Sequence, residues 1–340
     1  MAHRNNLVQP LWRKTRPWLS QLGLYAITLW GMLTIIFFLP RAMPGDPLQE
    51  LVNPNSGEYA LSEETRAQLA SYYGLDRPMW AQYTGYLASM ARGDFGWSIT
   101  QNTPVSQLIA EHLPWTLLLM IPSICIATLI SLLIGTHSGW VRNSPVDRSL
   151  LVSFLTLNTL PAFLIGALLL LLFGARLDWL PLSGARTAFK LYHSLSEQIG
   201  DIVIHLILPL AALTLSMAGR DYLLMRNSII TVLGEDFMLV ARGKGLPETN
   251  LKYRHAMRNA LLPVFTRFTM QVGTAITGAV LIETLFAYPG MGRLMFTSVA
   301  SRDYPVLEAC FLLSGVAMLL SNLIADLNYA WLDPRTRRHT

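Results

Sequence analysis

Long apolar runs alternate with polar, turn-rich segments along this chain, and the run lengths set its class. Residues 19–39 are 21 consecutive uncharged residues, and residues 149–175 are 27. Crossing a bilayer core takes about 20 residues in an α-helix. Further runs cover 113–134, 202–219, 263–286 and 309–325, the last able to extend to Tyr329. Six apolar runs predict an all-α integral membrane protein with six transmembrane helices. Pro114, Pro122, Pro161 and Pro209 fall within or at the edges of these runs. Proline is tolerated in a span where neighbouring helices satisfy the freed carbonyl.

The polar segments complete the layout. Residues 1–18 carry Arg4, Arg13, Lys14 and Arg16 and no acid, a basic segment expected on the inner side. The 19–39 run is longer than the apolar stretch of a cleaved signal peptide, so it reads as a retained first span. Residues 40–112 hold four Lys/Arg and eight Asp/Glu, punctuated by Pro44-Gly45-Asp46-Pro47, a helix-start pattern at Ser62–Thr65, and Gly93-Asp94-Phe95-Gly96. A polar segment this long should contain helices of its own, and is read as a cap outside the membrane. With the N-terminus inside, the inner segments contain 15 Lys/Arg and the outer ones 9, although the outer ones are longer. That bias fits the positive-inside rule, with 113–338 as a five-helix core and both termini cytoplasmic.

Composition agrees with this class. The chain has 340 residues, 52% hydrophobic and only 14% charged, where a soluble domain carries about 25% charged residues. The formal charge of +5 does not argue for nucleic-acid binding, because the cations flank spans. Cys125 and Cys310 lie in apolar runs and read as core residues, with no disulfide and no metal site.

The longest polar interruption of the second half is residues 234–263. Glu235 and Asp236 open it, where a helix dipole favours anions, and Arg242 and Lys244 stand near its end, where it favours cations. Gly245 supplies a C-terminal glycine with positive φ, and Pro247 forbids simple continuation. The pattern predicts a helix of roughly ten residues with a hard stop. Phe237, Val240 and Ala241 are placed on one face, continued by Lys244. Ala241, Gly243 and Gly245 make the second half small enough for another backbone to approach. A basic amphipathic loop lying on lipid headgroups is the other reading.

Chemistry is sparse. Gly135-Thr136-His137-Ser138-Gly139 misplaces the serine of a hydrolase elbow. Gly243-Lys244 lacks the remaining residues of a phosphate-binding loop. No catalytic set emerges, and no loop able to hydrolyse ATP. The ionisable groups within spans are His205, Arg267, Glu283 and Asp326. An intramembrane charge must face protein or water. His205 reads as structural, Arg267 as snorkelling to the inner interface, and Asp326 as packing with Asn322 and Tyr329. Glu283 either lines a pathway, together with Gln271, or pairs with a cation on a neighbouring helix.

The 234–263 stretch resembles the EAA loop of importer permeases of the ATP-binding-cassette type. Ala241 and Gly245 match its Ala-x-x-x-Gly core, and Leu262-Pro263 its end. Leu239 and Val240 depart from the general motif, as does the long gap to Pro263; both departures resemble the dipeptide, oligopeptide and nickel branch. The likeness extends over residues 19–338: Pro44–Pro47, Gly93–Gly96, Leu180-Pro181 with Gly184, Glu283, Phe286, Pro289-Gly290, Gly292-Arg293, Asp303-Tyr304-Pro305, Asn322, Asp326 and Leu332–Arg335. It is similar to the first permease subunit of such importers. The resemblance implies a type I importer permease fold (MetI-like) with an external helical insertion after the first span. It implies coupling to two ATPase subunits through Glu235, Asp236, Phe237, Val240, Ala241, Arg242, Gly243, Lys244, Gly245 and Leu246, within a cytoplasmic loop at 225–262. The other implied partners are a second homologous permease and an extracytoplasmic solute-binding protein. Mg-ATP would be held by the ATPases, with no cofactor in this chain. The solute would be a dipeptide, an oligopeptide or glutathione, with nickel or a metal chelate as the alternative. A proton-coupled secondary transporter using Glu283 and Asp326 is the remaining reading.

Overall fold

The computed structural model describes residues 12–42, 71 and 76–332. The sequence features at Pro44–Pro47, Ser62–Thr65 and Asp333-Pro334-Arg335 lie outside the described residues, as do the side chains of Asp326 and Tyr329. The described residues are helical, without a strand; their one β-type contact is an isolated bridge between Trp97 and Pro104.

The chain divides into two compact units, residues 1–94 and 95–340. The first contains α1 (Trp12–Ala42) and α2 (Met79–Arg92). They meet through aromatic rings: Phe37 is fully buried, with its ring 5.3 Å from that of Tyr83 and 5.4 Å from that of Tyr86. A hydrogen bond of 2.7 Å joins Thr34 and Tyr83 beside them. The Arg41 guanidinium lies 3.6 Å over the Phe37 ring, a cation–π contact. Gly93, at φ 73°, ends α2.

The second unit is built around one long helix. Its elements are α3 (Val105–Trp140), α4 (Pro145–Thr159), α5 (Ala162–Leu169, running on as a π turn, Leu170–Arg176), α6 (Leu195–Leu233) and α7 (Asp236–Gly243). A π-helical stretch (Asn250–Met257) leads into α8 (Arg258–Thr274), followed by α9 (Val280–Leu285), α10 (Met291–Ala300) and α11 (Tyr304–Leu332). α6 packs against α3, α4, α5 and α8. At 1.5 Å per residue α3 and α6 are each more than about 50 Å long, well beyond a hydrocarbon core of about 30 Å.

α3 and α6 approach closely because glycine faces them. A Cβ on Gly135 would lie 2.9 Å from Met225 Cβ, and one on Gly139 2.8 Å from Ile229 Cβ. Gly219 does the same for α4, where a Cβ would meet the Asn158 backbone nitrogen at 2.7 Å.

Three helices among the described residues are long and apolar enough to cross a membrane, or four if a bent pair counts as one span. Several boundaries differ from those expected. The 149–175 run is not one straight helix: α4 and the helix after it are bent by 100°. Leu160 is extended there (φ −81°, ψ 128°), since proline disfavours the helical region for the residue before it. The 202–219 run does not stop at Arg220-Asp221. α6 continues to Leu233 because Asp221 finds partners on α8. The 263–286 run is interrupted by a 3-10 turn (Ala275–Thr277) and by Gly278 at φ 74°. Cys125 is exposed on α3 rather than in the core, whereas Cys310 is buried.

Buried carboxylates pin both ends of the helices. Asp303, fully enclosed, accepts from the Ser98 hydroxyl, from the Thr100 hydroxyl at 2.8 Å, and from the Ile99 and Thr100 amides. Asp147, 1% exposed, accepts from Arg226 Nε at 2.7 Å and from its terminal nitrogen at 2.8 Å, from the Ser138 hydroxyl at 2.6 Å and from the Asn143 amide at 2.9 Å. Ser138 also bonds to Tyr222, whose ring stacks on Phe154 at 4.3 Å. One side-chain network thereby ties α3, α4 and α6.

Removing one partner of a buried ion pair leaves an uncompensated charge and costs about 3–5 kcal/mol. Arg226→Met should therefore lower stability by roughly that amount, against under 1 kcal/mol for an exposed control such as Arg142→Met. Thermal unfolding of the detergent-solubilised protein checks this; equal midpoints for the two variants would contradict the role given to the network.

Candidate functional site

The short helix expected after residue 234 is present. α7 covers eight residues, two fewer than its sequence suggests. Asp236 lies in its first turn and Arg242 in its last, each complementing the helix dipole. Gly245 adopts φ 67°, and its N–H donates to the Arg242 carbonyl at 2.9 Å. A Cβ on Gly243 or Gly245 would meet nothing within 4 Å, so this end of α7 is open.

The helix has two unlike sides. Met238 and Ala241 are buried, against Met225 and Ile229 of α6, Leu251 and Ala256 of the π stretch, and Ala260 and Val264 of α8. Leu246 turns inward on the same cluster. Phe237, Leu239 and Val240 point outward, at 39%, 66% and 60% exposure. Glu235, Asp236, Arg242 and Lys244 are exposed around them. The expected row of Phe237, Val240 and Ala241 is therefore corrected: Ala241 seats the helix, and Leu239 takes its place on the open face. At 100° per residue, Ala241 falls between Phe237 and Met238 and follows Met238 inward.

α7 is also firmly tied to the long helices. Only Gly234 and Glu235 separate it from α6, and their amides donate to the Thr231 and Val232 carbonyls at 3.1 Å each. On its other side the π stretch runs without a break into α8. There Lys252, 8% exposed, places its ammonium 2.7 Å from His137 Nδ1 on α3. α7 is thus joined to α6 by two residues and to α8 by packing through Met238 and Ala241.

The other singled-out residues lie elsewhere. Glu283 is fully enclosed, with Thr116 donating at 3.1 Å, the Ala279 amide at 3.3 Å and the Arg293 amide at 3.0 Å. Neither path-lining nor a cationic partner describes it. It accepts from the Ala279 amide in the break of the 263–286 run and from the Arg293 amide in the first turn of α10. The Gly290-x-Gly292 pair belongs to the same knot: a Cβ at 290 would collide with the Glu283 carboxylate, and one at 292 would lie 2.8 Å from the Val280 backbone. Arg267 does not snorkel; its Nε donates to Asp221, which is 2% exposed and also receives the Gln271 amide at 3.3 Å. His205 Nδ1 lies 2.8 Å from the Asp201 carbonyl. Sequence reasoning missed Asp147, Arg226, Thr116 and Lys252. A local signal existed only for Asp147, an acid at the third position of a helix opened by Ser144 and Pro145, and that pattern marks a helix start, not a buried pair.

Comparison with known proteins identifies the family. Residues 127–338 match the family described as binding-protein-dependent transport system inner membrane component. The chain belongs to that family. It is 38% identical over 310 residues to the oligopeptide transport system permease protein AppB of Bacillus subtilis (strain 168), covering 90% of this chain and 94% of that protein. It is 33% identical over 335 residues to the dipeptide transport system permease protein DppB of Escherichia coli (strain K12), covering 94% and 98%. The glutathione transport system permease protein GsiC of Salmonella choleraesuis (strain SC-B67) is 35% identical over 310 residues, covering 91% and 95%. A permease of this family is a transport component, and α7 lies within the matched region.

Two outcomes follow for the permease. Glu283→Ala should strand buried amide donors, at about 1–3 kcal/mol each, and lower the thermal midpoint. Glu283→Gln keeps an acceptor oxygen and should be clearly milder. Equal losses would mean that the carboxylate does not organise the knot.

Proposed function

We propose that this chain is the membrane-spanning permease subunit of an ATP-driven importer for dipeptides, oligopeptides or similar small solutes. Its coupling surface is the open side of α7. The observation that carries this reading is the exposure of Phe237, Leu239 and Val240 around the outer side of a helix seated from behind by Met238 and Ala241 and ended by an unobstructed Gly245. Exposed apolar side chains on a short, rigidly held helix suit a protein groove. Two ATPase subunits, a second homologous permease and a solute-binding protein complete the assembly, with Mg-ATP held by the ATPases. The permease chain is not itself an enzyme. The names of the relatives support a peptide-type solute.

The mechanism is alternating access. ATP draws the ATPases together, and α7 is carried with its groove. Because two residues join α7 to α6, and a continuous helical path joins the π stretch to α8, the displacement passes into the long helices. Helices sharing the Asp147–Arg226 and Asp221–Arg267 pairs move as a block. Packed interfaces switch between discrete arrangements rather than deforming gradually. The proton-coupled alternative gains nothing from Glu283, which is enclosed and bonded to backbone amides.

The topology has six spans, the first at 19–39, with both termini and residues 225–262 in the cytoplasm of an inner-membrane protein. Residues 40–112, as a helical insertion, and 176–201 face outside. Thr249→Cys should resist an impermeant thiol reagent in intact cells, whereas Leu191→Cys should react. Labelling of Thr249→Cys from outside overturns this orientation.

The decisive experiment is at Gly245. Positive φ makes any side chain there cost roughly 1 kcal/mol, so Gly245→Ala should retain most uptake. Gly245→Arg would hold the groove away from α7. It should insert in the membrane normally and lose at least about tenfold in uptake, a loss of 1.4 kcal/mol or more in coupling. Retention of ATPases on pull-down, with hydrolysis measured, separates detachment from futile turnover. Normal uptake by the Arg variant would refute coupling through α7 and favour a lipid-surface loop.

A further inference from the structure

α8 carries an uncommon polar face for a helix in an apolar run. Arg267, Gln271 and Thr274 follow at i, i+4 and i+7, one side of the helix. The neighbouring side is apolar and packed inward through Phe268 and Val272. Gly273 lies close against Ser321 of α11, so α8 is held from that direction too. Thr274 is exposed, and the Arg267 side chain is 30% exposed. A guanidinium in a membrane helix must face protein or water.

The hydrogen-bond inventory of this face is incomplete in a specific way. Arg267 uses Nε for Asp221, and its two terminal nitrogens have no partner among the described residues. Gln271 gives its amide to both Asp221 oxygens at 3.3 Å, while its own carbonyl oxygen is buried without a partner. A buried polar atom left unpaired is destabilising unless something else satisfies it. The face therefore offers an unused donor fork, with the unpaired Gln271 oxygen buried behind it. Guanidinium forks match carboxylates in a planar, two-bond geometry. A peptide C-terminus presents such a carboxylate.

We propose that Arg267, positioned by Asp221 and Gln271, forms a carboxylate-binding station on the solute path, fitted to the C-terminal carboxylate of a short peptide. Asp221 offsets most of the arginine charge. Binding is thereby kept weak, as a path requires if solute is to leave again. This inference rests on the importer reading, and it goes further by naming the group recognised and the residue that recognises it.

The test uses Thr274→Cys as a reporter, one turn beyond Gln271, in the nucleotide-free permease–ATPase complex reconstituted in nanodiscs. Methanethiosulfonates react with hydrated thiols and spare thiols in lipid. A sulfonate-bearing reagent should react faster than a trimethylammonium-bearing one. Adding Arg267→Met should lower the ratio of the two rates by about threefold to tenfold, the effect of one nearby charge in a hydrated site. If the single change prevents assembly, Asp221→Asn with Arg267→Met removes the pair with no net change of charge, and should leave the ratio little changed while abolishing protection by the free-acid dipeptide. A free-acid dipeptide should protect the thiol, and its C-terminal amide should not. A thiol inert to both reagents would mean that lipid or the second permease covers this face, and the station would be refuted. An unchanged ratio with Arg267→Met alone, or equal protection by acid and amide, would refute it as well. ATP-driven uptake of the same dipeptide, measured separately with the solute-binding protein present, distinguishes failure of the station from failure of the importer reading: uptake with an inert reporter sinks only the station.

Discussion

Charge held inside an apolar helical bundle is the constraint on which the rest of this structure turns. Each ionised group in such a place needs a partner, and the partners lie mostly on α6 or beside it. Asp147 on α4 reaches Arg226, and Asp221 reaches Arg267 on α8. The α3–α6 contact is close enough for Ser138 to touch both Asp147 and Tyr222 only because Gly135 and Gly139 remove side chains between them. Packing and pairing are thus one arrangement: the glycines bring the backbones together, and the polar pairs fix the register at which they meet.

That arrangement gives the short α7 its mechanical meaning. A surface helix of eight residues has little stability of its own. Here Met238 and Ala241 anchor it to the same turns of α6 whose neighbouring residues, Tyr222 and Arg226, engage α3 and α4. The open side of α7, with Phe237, Leu239 and Val240, is therefore backed by packing on α6. The break at residues 275–279 adds a contrasting element. Irregular backbone at membrane depth is tolerated where protein encloses it, and Glu283, Thr116 and the close-packed Gly290 and Gly292 supply that enclosure.

Much of this was legible in the residues. Acids at 235–236, cations at 242 and 244, and a glycine before a proline marked a short helix ended by positive φ. The likeness to importer permeases rested on pieces whose order, more than any single match, carried information. The inward turn of Ala241 was not legible, because a rotation of less than one residue step around an eight-residue helix depends on which neighbour covers it. The placement of Glu283 was equally hidden: a lone acid in an apolar run looks the same whether it faces water, a cation or backbone amides.

By itself the sequence determined the class, the position of the apolar runs and the local chemistry of the α7 turn, since these depend on composition and on interactions within a few residues. Only the tertiary structure decided where helices bend or continue. Asp221 lies inside α6 because Arg267, 46 positions further on, neutralises it. Asp147 is buried because Arg226, 79 positions further on, pairs with it. Apolar periodicity reports which residues avoid water, and it cannot report which distant partner makes a buried charge tolerable.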